Sequence, residues 1–168
     1  MAMTRSGASA AASAGTLDSH APQQTRAIGR ALGAASRPGT LLALVGPLGA
    51  GKTELAKGVA EGLGVESVVN SPTFVLMNEH AGRLRFFHVD AYRLDDPEEA
   101  FAAGLLDDRG ASGVTVVEWA DRLGPLLPTE RLELTIQPDP TGSDRRRVGW
   151  RASGEEHVRL AAEALPAR

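Results

Sequence analysis

The run Gly46-Pro47-Leu48-Gly49-Ala50-Gly51-Lys52-Thr53 constrains this chain more than any other stretch. It reads G-x-x-x-x-G-K-T, the spacing of a phosphate-binding P-loop. Each residue type has a chemical reason. Gly46, Gly49 and Gly51 let the backbone turn tightly, so that N–H groups around Ala50 come close to phosphate oxygens. The helix that must follow adds free N–H groups and the positive end of its dipole. Lys52 is then placed to reach the β- and γ-phosphates of a nucleotide, and the Thr53 hydroxyl to bind Mg²⁺.

The flanking residues fit. Leu41-Leu42-Ala43-Leu44-Val45 is a short apolar run suited to a buried parallel strand. Leu55, Ala56, Val59, Ala60 and Leu63 recur at helical spacing, and Gly64 is a helix stop. Lys52 and Lys57 are the only lysines in a chain that otherwise uses arginine. A compact point charge is thus kept where a phosphate would sit.

A length of 168 residues predicts one domain with a real core. A net charge of −3 gives no general pull toward nucleic acid. There is no cysteine, which excludes disulfide-linked partners and thiolate metal sites and fits a reducing compartment. No apolar run approaches the roughly 18 residues of a membrane span, and the first 20 residues lack a signal-peptide core. The expectation is a cytoplasmic protein.

Residues 1–20, rich in Ala, Ser and Gly, are expected to form a disordered tail, with residues 21–168 as the single domain. Ile28, Ala31, Leu32 and Ala35 predict an amphipathic helix from Pro22, with Arg26 and Arg30 outside. Residues 73–78 and 83–89 read as two strands of a hairpin, the second ending in Asp90. A short helix capped by Asp95 or Asp96 opens at Pro97 and stops near Gly104. Val114 to Val117 is a strand that ends in Glu118. Arg131 to Ile136 reads as an exposed or edge strand, with an antiparallel partner at Arg147 to Arg151. Ser153 with Glu156 forms a capping box before a closing helix whose apolar face is Val158, Ala161, Ala162 and Leu165. The fold class expected is α/β and P-loop NTPase-like: a mainly parallel sheet flanked by helices, with a β-hairpin and antiparallel edge strands.

In such sheets ligands bind beyond the carboxyl ends of the strands. Asp90 and Glu118 lie at that edge with the P-loop. Either could act on Mg²⁺ or orient an attacking water. His88 stands two residues before Asp90, so both side chains face the same way; a structural hydrogen bond is the expected role. The four histidines do not cluster, so no transition-metal site is expected. Tyr92 and Trp119 read as core or rim aromatics. Arg145-Arg146-Arg147 reads as a solvated turn, with contact to tRNA phosphates as the alternative.

Four motifs in this order are more specific than the P-loop alone: Gly46 to Thr53, Ser71-Pro72-Thr73-Phe74, His88-Val89-Asp90-Ala91-Tyr92-Arg93, and Glu118-Trp119. From about Pro22 to Ile136 the chain resembles the TsaE family of bacterial ATPases. The resemblance implies an ATP- and Mg²⁺-dependent subunit needed for threonylcarbamoylation of tRNA adenosine 37. It would act with TsaB and TsaD and touch tRNA indirectly or weakly. It implies that Lys52 and Thr53 serve phosphate and Mg²⁺, that Glu118 is the second Mg²⁺-site residue, and that residues 71–74 and 90–93 are switch-like. Thr25 matches a Thr-x-x-Leu-Gly segment of the family ahead of the first strand, near the adenine. Two positions depart from the family's pattern: Pro47 stands where Asp is usual, and Glu54 where a second Thr is usual. The Glu54 N–H can still reach a phosphate, but its carboxylate must turn away. A small-molecule kinase on the same fold is the alternative, with Arg145 to Arg147 as its only lid candidate. The Asn-Lys-x-Asp guanine signature is absent, which favours adenine.

Overall fold

The computed structural model describes residues 11–72, 76–102, 104 and 108–165. Seven strands form one sheet: β1 (Ala12–Ser19), β2 (Thr40–Val45), β3 (Met77–His80), β4 (Arg85–Asp90), β5 (Gly113–Glu118), β6 (Arg131–Pro138) and β7 (Arg146–Ser153). Their order is β1-β7-β6-β2-β5-β4-β3. The central strands β6, β2, β5 and β4 run parallel. β1, β7 and β3 pair antiparallel with their neighbours. Among the described residues the α-helices are α1 (Pro22–Ala35), α2 (Lys52–Gly62), α3 (Pro97–Ala102) and α4 (Glu155–Ala164). Among the described residues no helix is long and apolar enough to cross a membrane.

Each sheet face has its own core. Leu42, Leu44, Val114, Val116, Leu132, Leu134 and Ile136 face one way and meet α1, α2 and α4 through Leu32, Leu55, Val59 and Leu160. Leu41, Ala43, Val89 and Val117 face the other way and meet Ala120, Leu123 and Leu127, from the 3-10 segment Ala120–Leu126 and the residue after it. The alternation along each central strand follows the period of two.

Several expectations need correction. Residues 12–19 are not a loose tail: they form β1, paired along all eight residues with β7. Their composition hides this, because the strand depends on the backbone edge that β7 offers. β6 is not an edge strand, since β7 and β2 flank it. β3 begins at Met77, later than expected, while Thr73 to Val75 lie outside the described residues. Asp96 is the α3 cap: its Oδ1 accepts the Glu98 N–H at 3.0 Å. At α4, Gly154 (φ 89°) takes the cap position without a side-chain hydrogen bond, so the Ser153–Glu156 box does not form. The buried stripe there is His157, Leu160, Ala161 and Leu165, whereas Ala162 is exposed.

The α1 stripe also differs. Its buried residues are Thr25, Gly29, Leu32 and Gly33, while Ala31 is exposed. Glycine rather than an apolar side chain faces α2. A Cβ at Gly29 or Gly33 would strike the Leu55 or Val59 carbonyl, and one at Gly58 or Gly62 the Arg26 or Arg30 carbonyl. Two pairs of glycines, each four residues apart, therefore let the helix backbones touch.

His157 makes stability depend on pH. It is 5% exposed, and its Nε2 accepts the Leu41 N–H at 3.0 Å, a role that requires the neutral ring. Burial holds its pKa below the ordinary 6.5. The folded state thus binds this proton less readily than the unfolded one. The stabilisation is complete above the ordinary value and is lost as pH falls through it toward the depressed one. Chemical denaturation at pH 7.5 and pH 5 should show this loss, and His157→Gln should reduce it.

Candidate functional site

The P-loop leaves the carboxyl end of β2, and Gly51 (φ 109°) turns it into α2. The same edge carries Asp90 at the end of β4 and Glu118 at the end of β5, directly opposite each other in the register. Because β5 pairs with β2, Leu44 sits beside Glu118, one strand from the loop. Topology thus brings together the glycine-rich loop and two carboxylates that lie up to 72 residues apart in sequence. A cleft of about 420 Å³ lies between them. Gly49 to Glu54 line one side; Ser71, Asp90, Tyr92, Glu118 and Trp119 line the other.

Glu118 is 2% exposed and has both oxygens engaged. Thr53 Oγ1 donates to Oε1 at 2.8 Å, and His88 Nε2 lies 2.5 Å from Oε2. Ser71 Oγ donates to Asp90 Oδ2 at 2.7 Å and approaches Glu118 Oε2 at 3.4 Å. Asp90 Oδ1 accepts the Tyr92 N–H at 2.9 Å. The partner of His88 is therefore Glu118 on the neighbouring strand, not Asp90 two residues on. His88 is fully buried, so its role is to fix the carboxylate from behind.

Lys52 is 4% exposed, and its Nζ donates to the Gly46 and Pro47 carbonyls at 2.7 and 2.8 Å. The same ammonium lies 3.9 Å from the centre of the Trp119 ring. Burial lowers its pKa, while Glu118, Asp90 and Asp121 push the other way. Trp119 stacks on Tyr92 with ring centres 4.8 Å apart, and Arg122 lies over both rings. Trp119 has a φ of 58°, a conformation costly for a bulky side chain. These aromatics form the rim of the cleft.

Thr25 lies in the first turn of α1 and is buried. Its Oγ1 lies 2.8 Å from Ser19 Oγ, and its methyl faces Gly51. The β1–α1 junction thus borders the loop.

The Glu54 carboxylate is held by two basic side chains. Arg26 on α1 holds it, with Nε and Nη2 at 3.1 and 2.9 Å from Oε2, and Lys57 lies 3.9 Å from Oε1. Arg26 reads from sequence only as an outward arginine; its partner lies 28 residues on, and no local pattern points to it. The pair is about one-third exposed and should be worth about 0.5–1 kcal/mol. Freed, Glu54 would stand in the first turn of α2 on the wall of the cleft. If the cleft takes a nucleotide, Arg26→Ala is expected to weaken ADP binding about threefold, as a surface ion pair implies. Arg26→Ala with Glu54→Thr should restore it in a calorimetric titration.

Two further groups escape sequence reading. Ser71, legible only as part of a motif, is the hydroxyl that joins the two acids. Arg146, expected in a solvated turn, is half-buried and bonded to the P-loop: its Nε donates to the Ala50 carbonyl at 3.0 Å. Arg145 and Arg147 both pair with Asp18. Arg93 is exposed. Thr73 and Phe74 lie outside the described residues.

The comparisons with known proteins agree with one another. A family model described as threonylcarbamoyl adenosine biosynthesis protein TsaE matches residues 19–148. The match thus runs beyond Ile136, the expected limit, through β6 and into the first three residues of β7, up to Val148. The tRNA threonylcarbamoyladenosine biosynthesis protein TsaE of Bacillus subtilis is 41% identical over 143 residues, spanning 84% of this chain and 88% of that protein. Its counterpart from Treponema pallidum is 36% identical over 119 residues, spanning 71% and 88%. The crystal structure of Bacillus subtilis YdiB superposes with a TM-score of 0.75 at 34% identity, covering 93% of this chain and 97% of that one.

Proposed function

The chain belongs to the TsaE family of tRNA threonylcarbamoyladenosine biosynthesis, and on that premise we propose that it is the Mg²⁺-dependent ATP-hydrolysing subunit of that process, built on a P-loop NTPase-like fold. Its partners on this reading are TsaB and TsaD in the cytoplasm. The observation that supports it best is the bonded series His88–Glu118–Thr53 set against the P-loop.

The residues suit Mg²⁺. Thr53 and Glu118 offer a hydroxyl and a carboxylate, both hard oxygen donors. When bound, Mg²⁺ would neutralise charge on the β- and γ-phosphates.

The chain's own groups do the rest. The α2 N-terminus and the loop N–H groups bind phosphate oxygens. Lys52 exchanges two neutral carbonyl partners for charged oxygens, which makes its hydrogen bonds stronger. His88 keeps Glu118 aimed at Thr53. Asp90, linked through Ser71 and nearer the open side of the cleft, is the carboxylate that orients a water for in-line attack. Ser71, Asp90 and Tyr92 line the same cleft, so γ-phosphate loss would alter their contacts and pass the change to a partner subunit. The kinase reading is weaker: Arg145 and Arg147 are paired with Asp18 and Arg146 with the loop, so the lid arginines are engaged.

Phosphate release from Mg²⁺–ATP, measured with and without TsaB and TsaD, tests the proposal. The expected result is slow release by the chain alone and faster release with the partners. Release that the partners leave unchanged, or phosphate delivered to an acceptor, would sink it.

A further inference from the structure

We propose that Arg146 is a positioning residue for phosphate binding: it pins the Ala50 carbonyl and so aims the Gly51 N–H into the cradle. The inference rests on the nucleotide site proposed above. β6 is parallel to β2, so the turn joining β6 to β7 falls at the same sheet edge as the P-loop. Arg146 is the first residue of β7. Its guanidinium meets four carbonyls: Nε donates to Ala50 at 3.0 Å, Nη2 approaches Gly49 at 3.5 Å, and Nη1 donates to Ser143 and Arg145 at 2.9 Å each.

The consequence follows from peptide geometry. In a planar trans peptide, C=O and N–H point in opposite directions. The carbonyl of Ala50 and the N–H of Gly51 belong to one peptide unit. Holding the first outward turns the second toward the cleft. This peptide needs an external hold, because its N–H side belongs to Gly51 (φ 109°), and a glycine there allows the unit to flip.

The anchor itself is firm. Asp139 accepts the Thr141 N–H and hydroxyl at 2.8 Å each and the Ser143 hydroxyl at 2.9 Å. These bonds order the turn that places Arg146. A charged donor on a neutral acceptor is also stronger than an uncharged one.

ADP and AMP titrations of the full chain by calorimetry test this, with Arg146→Ala and Arg146→Lys. The cradle serves the α- and β-phosphates, so the preference for ADP over AMP reads its geometry. Arg146→Ala is expected to weaken ADP binding about tenfold and AMP much less, the size of one charge-assisted hydrogen bond. Arg146→Lys should fall between, because lysine lacks the fork that joins loop and turn. The unfolding midpoint without nucleotide should stay close to that of the parent. An unchanged ADP-to-AMP ratio in both variants overturns the inference, as does an equal loss for both nucleotides. If Arg146→Ala does not fold, a parental ratio in Arg146→Lys overturns it. If the parent chain binds no ADP, the nucleotide-site reading itself fails, and the inference with it.

Discussion

Glu118→Gln is expected to lower Mg²⁺–ATP turnover at least about a hundredfold, the range found when a preorganised electrostatic group is removed. The side chain is buried, and one oxygen faces Thr53 while the other faces His88. Glutamine keeps the shape but loses the charge. Its NH₂ must also meet either the Thr53 hydroxyl or the His88 ring, and it donates where the carboxylate accepted. The loss should fall on turnover, with ADP affinity in the absence of Mg²⁺ nearly unchanged. Single-turnover phosphate release together with an ADP titration separates the two. Turnover within a few-fold of the parent would remove Glu118 from the mechanism and leave Asp90 as the essential acid.

The second large effect concerns stability. Gly58→Ala is expected to destabilise the chain by about 2–3 kcal/mol, the cost of overpacking a close contact. The sign is the test. In an ordinary helix interior, Gly→Ala stabilises by up to about 1 kcal/mol through propensity alone. Here the new methyl would meet the Arg26 carbonyl, which is backbone and cannot rotate away. α1 must then move off α2, taking Thr25 and Arg26 away from the loop. Gly33→Ala should behave alike, because its methyl meets the Val59 carbonyl. Urea unfolding measures both; a stabilised Gly58→Ala would mean that the helices have room.

What the sequence reveals follows from how local each cause is. The P-loop, its strand and its helix are legible because a few adjacent residues determine them. Asp90 and Glu118 are legible as acids at strand ends, since an apolar run followed by a carboxylate is a local pattern. Their separate roles are not, because these depend on Thr53 and Ser71 arriving from elsewhere in the chain and on His88 of β4 reaching across to Glu118 on β5. The glycine stripe between α1 and α2 escapes a periodicity count, which scores apolar side chains and passes over residues without one. β1 escapes for a related reason: Ala12 to Ser19 has no strand-like composition and is a strand because β7 presents an edge. Arg146 and Arg26 look like surface arginines until the fold sets each against the P-loop region.

The most direct test of the account is threonylcarbamoyladenosine formation in a reconstituted reaction. It contains TsaB, TsaD, tRNA and the threonylcarbamoyl donor, with either the parent chain or Lys52→Ala. The account predicts repeated turnover with the parent chain and hydrolysable ATP. It predicts little beyond one round with Lys52→Ala, or with an ATP analogue that cannot be hydrolysed. Equal yields in all three would contradict the claim that this chain acts by hydrolysing ATP.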